Sequence, residues 1–215
     1  MPGSHHLVLA QLREAIRRIE RRPARREGFV PCGRPEIDAV LPGGGFPRGA
    51  LSELAGGPAS GKAAVALSLF AALGPDELYA WVDARGELYP PAAALLGVDL
   101  ARLLVVRPGA AARRGGPGAG PALAALWAAE ALLGSGAFAA VAIDVPPARL
   151  ARGADAVARR LQAAAEKGGA VGLWLGGGEA GVRVPAALRL ELSSEGGKVV
   201  ARRRGGGAGR ADHAA

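Results

Sequence analysis

Gly56, Gly61 and Lys62, within LAGGPASGKAAVAL (residues 54–67), stand at the G-x-x-x-x-G-K spacing of a phosphate-binding loop. Such a loop works through its backbone. N–H groups of a glycine-rich turn and the positive end of the following helix surround phosphate oxygens, and the lysine reaches the outermost of them. Gly57 and Ser60 complete the candidate set. The position after the lysine, where a serine or threonine hydroxyl would hold Mg²⁺ between phosphates, is Ala63, and Ala64 cannot replace it. A metal-orienting carboxylate belongs at the end of a later apolar strand, where Asp144 closes AAVAID. An aspartate there is equally a cap for the next helix.

These residues need a strand before the loop, a helix after it and further strands alongside, and the chain supplies that series. Short apolar runs alternate with helical stretches: ALSEL and the helix after Lys62; LYAWVDA and PPAAALLG; RLLVVRP and 121–133; AAVAID and 150–166; then AVGLWL. This βαβ order predicts an α/β fold with a mostly parallel sheet flanked by helices. LRLELSS and KVVARRR, joined by EGG, predict an antiparallel hairpin at the sheet edge. The stretch 29–49 is rich in Gly and Pro, and Ile37, Val40 and Leu41 are spaced like one short helical turn. Ahead of it, Leu9, Leu12, Ile16 and Ile19 form the narrow apolar seam of an arginine-rich amphipathic helix, stopped by Pro23. The expected division is helix and linker over 1–28, a core over 29–204 and a flexible tail over 205–215, with a further surface loop over 109–120.

A net charge of +8, carried almost wholly by arginine, suits an anionic partner such as nucleic acid or an acidic protein face; a solvated basic surface is the alternative. Cys32 is the only cysteine, which rules out an intrachain disulfide and a cysteine-based metal site and fits a reducing compartment. His5, His6 and His213 have no ligand spacing, so no metal site is expected. No run of about 18 apolar residues occurs, and the N-terminus lacks the order of a signal peptide. The expectation is a cytoplasmic protein with no membrane partner.

FVPCGRPEIDAVLPGGGFPRGALSELAGGPASGKAAVAL, followed by YAWVDARGELYPPAAALLGVDLARLLVVRP, resembles the core of the RecA recombinase family. In that family a glycine-rich turn precedes the phosphate loop, and a strand ending in Asp-Ala-Glu, an Asp-Pro segment and a Leu-Gly-Val-Asp turn follow it. The resemblance covers about residues 7–204 and implies a RecA-like phosphate-loop fold. The chain is short for a recombinase and has lost several of its parts. In this it is most similar to the ImuA-type RecA-like accessory proteins of inducible bacterial translesion mutagenesis.

The losses fall on separate parts of the family's ATP machinery. Where the family has the glutamate that activates water, the chain reads Asp83-Ala84-Arg85, and a cation cannot serve as a general base. Tyr89-Pro90-Pro91-Ala92 lacks the family's adenine-pocket aspartate and the tyrosine two residues beyond the proline, and Leu175-Gly176 stands where the γ-phosphate-sensing glutamine belongs. The two DNA loops shrink to VPPAR and GGGEAGVRVPA. Arg183, Arg202, Arg203 and Arg204 remain as candidate contacts to DNA phosphates, or as a charged edge that resists aggregation.

The resemblance therefore implies a noncatalytic adaptor of the DNA-damage-induced translesion (mutasome) machinery, without catalytic residues or a required cofactor. It acts through contacts with RecA and an ImuB-type Y-family polymerase homologue, with nonspecific DNA as a further candidate partner, and it limits RecA filament growth. Gly56, Gly57, Ser60, Gly61, Lys62 and Asp144 are then a vestigial nucleotide site that keeps weak ATP or phosphate binding, since backbone N–H groups do not depend on Ala63. In the family the N-terminal helix packs on the neighbouring subunit, so the seam Leu9, Leu12, Ile16 and Ile19 docks either on a partner or on its own core. Two alternatives stand beside this reading. An ATP-dependent recombinase paralogue is opposed by Ala63 and Arg85; a SulA-like cell-division inhibitor acting on FtsZ is disfavoured by the retained loop and the N-terminal helix.

Overall fold

The computed structural model describes residues 28–108, 121–146, 154–176 and 186–204. The seam of the N-terminal helix, Arg183, the loop 109–120, the tail and most of both shortened loops lie outside them. The described chain begins with a ribbon absent from the sequence expectation: β1 (Phe29–Val30) pairs antiparallel with β2 (Phe46–Pro47). Between them, α1 (Pro35–Asp38) is the short helical turn expected from Ile37, Val40 and Leu41, and it buries Ile37 completely. The ribbon is too short for periodicity to announce it. It forms because Phe46 and Val30 enter the core and glycine lets the backbones close, a Cβ at Gly45 falling 2.5 Å from the Val30 carbonyl carbon.

Each apolar run then becomes a strand: β3 (Ala50–Ala55), β4 (Leu78–Asp83), β5 (Leu103–Val106), β6 (Phe138–Asp144), β7 (Val171–Leu175), β8 (Leu188–Glu195) and β9 (Lys198–Arg204). They make one seven-stranded sheet in the order β5-β4-β6-β7-β3-β8-β9, parallel throughout except for the β8–β9 hairpin. The expected α/β class and edge hairpin are both found. The connecting helices are α2 (Lys62–Ala72), α3 (Pro90–Leu95), α4 (Pro121–Gly134) and α5 (Ala154–Gly168).

Alternation along the strands sends side chains to two cores. On one face Leu54, Tyr79 and Trp81 pack with Val65, Leu69 and Phe70 of α2. Phe70 stacks on Tyr79 at 4.8 Å and meets Trp81 edge-on at 6.2 Å, between ring centroids. On the other face Leu51, Val82, Val141 and Ile143 pack with Leu126 and Leu133 of α4 and Leu161 of α5. Burying one such large side chain contributes about 2–3 kcal/mol, so the two layers fix where the strand ends lie. α4 is apolar except for Glu130, which pairs with Arg160, and its outward face carries Leu123 and, one turn on, Trp127, the latter 69% exposed. No helix among the described residues is long and apolar enough to cross a membrane.

Candidate functional site

β3 runs out at Ala55, and the chain turns through Gly56–Gly61 into α2. Two glycines of this turn are required by close approach. At Gly61 (φ +91°) a Cβ would lie 2.4 Å from Val199 Cγ2 of β9, and at Gly56 it would lie 2.5 Å from the Leu192 carbonyl oxygen of β8. The edge hairpin is thus the floor of the loop. Ala59 adopts a left-handed φ of 56° without being glycine, at a cost of roughly 1 kcal/mol. The first helical bond of α2 runs from Val65 N–H to Gly61 O at 2.9 Å, and no side chain caps the helix. The N–H groups of Lys62, Ala63 and Ala64 therefore have no acceptor among the described residues, as a phosphate-binding turn requires.

Lys62 lies folded back onto this turn. Its ammonium donates to Gly56 O at 2.6 Å, Gly57 O at 2.7 Å and Ser60 Oγ at 3.2 Å, using all three of its hydrogens. Burial, and next the nearby charge of Arg85, hold its pKa below the ordinary lysine value, against an opposing pull from Asp144.

Arg85 and Asp144 meet beside it. Asp83 and Asp144 are register partners at the ends of β4 and β6, and Ala84 N–H donates to Asp144 O at 3.0 Å, so residue 85 is delivered over the end of β6. Arg85 Nε then lies 2.9 Å from Asp144 Oδ1 in an ion pair, while its Nη1 is 3.7 Å from Glu87 Oε2. Burial pushes the Asp144 carboxyl up to about 6; Arg85 and Lys62 pull it down, and Glu87 and Asp83 push it further up.

The turn carrying Arg85 is fixed by Asp83, whose side chain is fully buried. It accepts from the N–H groups of Gly86 (2.8 Å), Glu87 (3.0 Å) and Leu88 (3.2 Å) and from Arg107 Nε (2.8 Å). Arg107 Nη2 also donates to Leu88 O at 2.9 Å. Sequence reasoning missed this network, although an aspartate followed three residues later by glycine is the signature of such a turn.

Gly176 follows the end of β7. A Cβ there would lie 2.8 Å from Glu53 Oε1, and Glu53 is itself ion-paired with Arg189 at 3.0 Å. A side chain at 176 requires Glu53 to move. Tyr89 stands just before α3, makes no capping side-chain hydrogen bond and is 67% exposed.

The structure thus brings Gly56, Gly57, Ser60, Gly61, Lys62 and Asp144 to one end of the sheet and adds Arg85 to them. It does not add Arg202, Arg203 or Arg204. Antiparallel pairing puts Val199 at the loop and Arg204 opposite Arg189, roughly 17 Å further along the edge. Arg204 also pairs with Glu191.

Mg²⁺, which the resemblance implies for this site, does not fit the residues present. Ala63 offers no hydroxyl, and the Asp144 oxygen that would orient the ion is held by a guanidinium. Among the described residues no group of three or more His, Cys, Asp or Glu could hold a metal.

Residues 11–153 match the family described as RecA N-terminal domain. The RecA protein of Salinispora tropica is 35% identical over 144 residues, covering 64% of this chain and 38% of that protein. Those of a Picosynechococcus species and of Bacillus licheniformis are 37% identical over 109 residues and 35% over 131, covering 48% and 60% of this chain but 31% and 34% of their own lengths. The matched stretch therefore spans less than two-fifths of each of these relatives.

Proposed function

We propose, from the premise that this chain belongs to the RecA N-terminal domain family, that it is a noncatalytic RecA-like adaptor of DNA-damage-induced translesion synthesis, of ImuA type and acting in the cytoplasm. Its partners in this reading are RecA and an ImuB-type Y-family polymerase homologue, with sequence-independent DNA contact as an accessory. The observation that carries the reading is the Arg85–Asp144 ion pair at 2.9 Å. It puts a permanent cation where the family needs a general base and ties up the carboxylate that would orient the metal. Ala63 and the closed position at Gly176 point the same way.

A RecA filament extends when one subunit's N-terminal helix docks on the next subunit and nucleotide is enclosed at the junction. A chain that offers the helix seam but cannot complete that junction would cap a filament end and stop its growth. The experiment is RecA filament growth on single-stranded DNA with the wild-type chain or with Ile16→Glu, each first confirmed as folded. A charge forced into a desolvated seam costs several kcal/mol, enough to abolish micromolar binding. Wild type is expected to slow growth and the variant is not. Equal slowing by both removes the seam from the mechanism, and slowing by neither removes capping. Parallel pull-downs with RecA, the polymerase homologue and FtsZ separate the adaptor from the division-inhibitor reading.

A further inference from the structure

We infer that Arg85 stands in for the divalent cation of this site, so that the loop takes an oligophosphate without a metal ion and Mg²⁺ weakens that binding instead of supporting it. The inference goes beyond the adaptor reading and is tested separately from it: filament capping can fail while this binding is observed, and the reverse.

Three features of the site lead there. Asp144 Oδ1 is already ion-paired with Arg85 Nε at 2.9 Å, so a metal ion approaching that carboxylate meets a charge that no accessible pH removes. The guanidinium still has donors to offer. The 3.7 Å from Nη1 to Glu87 Oε2 exceeds hydrogen-bond length, the Arg85 side chain is 30% exposed, and a planar fork of N–H groups suits phosphate oxygens. The first-turn N–H groups of Lys62, Ala63 and Ala64 have no acceptor among the described residues, and Lys62 holds only oxygen partners that phosphate oxygens can replace one for one. Lys62 and Arg85 are close enough for the charge of one to act on the other.

The effect of Mg²⁺ follows from charge. Chelation by Mg²⁺ cancels two negative charges on an oligophosphate, which lowers its attraction to Lys62 and Arg85. In an ordinary site the metal's own ligands more than compensate for that loss. Here Ala63 supplies none, and Asp144 is engaged.

The test is calorimetric titration of the full chain with ATP and, separately, with inorganic tripolyphosphate, each in EDTA and in millimolar Mg²⁺. Both ligands are expected to bind in EDTA, with Kd raised by roughly fivefold or more when Mg²⁺ is present. Arg85→Gln is expected to weaken binding in EDTA by about tenfold and to shrink the effect of Mg²⁺, because it removes the charge and leaves a shorter, neutral polar group. Equal affinities for the two ligands support recognition of the phosphates alone; tighter ATP binding supports a nucleotide as the ligand. Absence of binding in EDTA, tighter binding in Mg²⁺, or undiminished binding by a folded Arg85→Gln overturns the inference. If that variant does not fold, the wild-type comparison with and without Mg²⁺ decides alone.

Discussion

Arg85 Nε and Asp144 Oδ1 form an ion pair at 2.9 Å across the ends of the neighbouring parallel strands β4 and β6. Even with that guanidinium in contact, burial pushes the Asp144 carboxyl up to about 6. The folded protein therefore holds the Asp144 proton more tightly than the unfolded chain does. The resulting stabilisation is fully present below the ordinary aspartate pKa and is lost as the pH rises through about 6. Asp144→Asn should be within roughly 1 kcal/mol of wild type, or more stable, near neutral pH, because it removes an ionised carboxylate from a buried position. Wild type should gain on the variant as the pH is lowered to about 4.5. Urea denaturation of both proteins at the two pH values checks this, and a wild type that loses ground in acid contradicts the raised carboxyl.

ATP hydrolysis should not exceed background, with or without single-stranded DNA. In the proposed reading Ala63 stands in place of the hydroxyl and Arg85 in place of the base, the two groups that would place the ion and the water. Phosphate release measured for wild type and Lys62→Ala should be indistinguishable. DNA-stimulated release that disappears in Lys62→Ala would restore the recombinase-paralogue reading.

Contact with DNA should be weak, indifferent to sequence and steeply salt-dependent. Arg202 and Arg203 are exposed on β9, whereas Arg204 is already paired with Glu191. Replacing both Arg202 and Arg203 with Ala should reduce the slope of log affinity against log salt by about 2, and Arg204→Ala should change it less. Fluorescence anisotropy over a salt series is the measurement, and a sequence preference that survives high salt rules out an electrostatic contact.

Gly61→Ala should destabilise the fold by roughly 1–3 kcal/mol, since the new methyl meets both a left-handed backbone and the Val199 side chain. Val199→Ala should be less costly in the Gly61→Ala background than alone, with a coupling of about 1 kcal/mol in the double-mutant cycle. Strict additivity in thermal or urea denaturation would mean that the hairpin does not support the loop.

What could be read from the sequence depended on how local its cause was. The strands were legible because each is an apolar run closed by turn residues, and the β8–β9 hairpin because Gly196 and Gly197 supply the positive φ its turn needs. The loop residues were legible from spacing. The meeting of Arg85 with Asp144 was not, since it depends on the pairing of two strands whose ends are far apart in sequence. Each substitution can be seen as a loss when taken alone; only the fold turns the pair into a contact. The closure of position 176 by Glu53 escaped for the same reason, and the β1–β2 ribbon escaped because two-residue strands carry no alternation.

The three tryptophans are buried very unequally, Trp81 and Trp174 at 1% and 2% exposure and Trp127 at 69% on the outer face of α4. Their indole rings sit in different solvents, two in hydrocarbon and one in water. A dissolved quencher such as iodide reaches only Trp127 in the folded chain, so the quenchable share of the emission belongs to that one helix face. A protein that covers α4 shields this share without any label being attached, while unfolding does the opposite and admits the quencher to the other two rings. One optical signal therefore separates docking on α4 from loss of the fold.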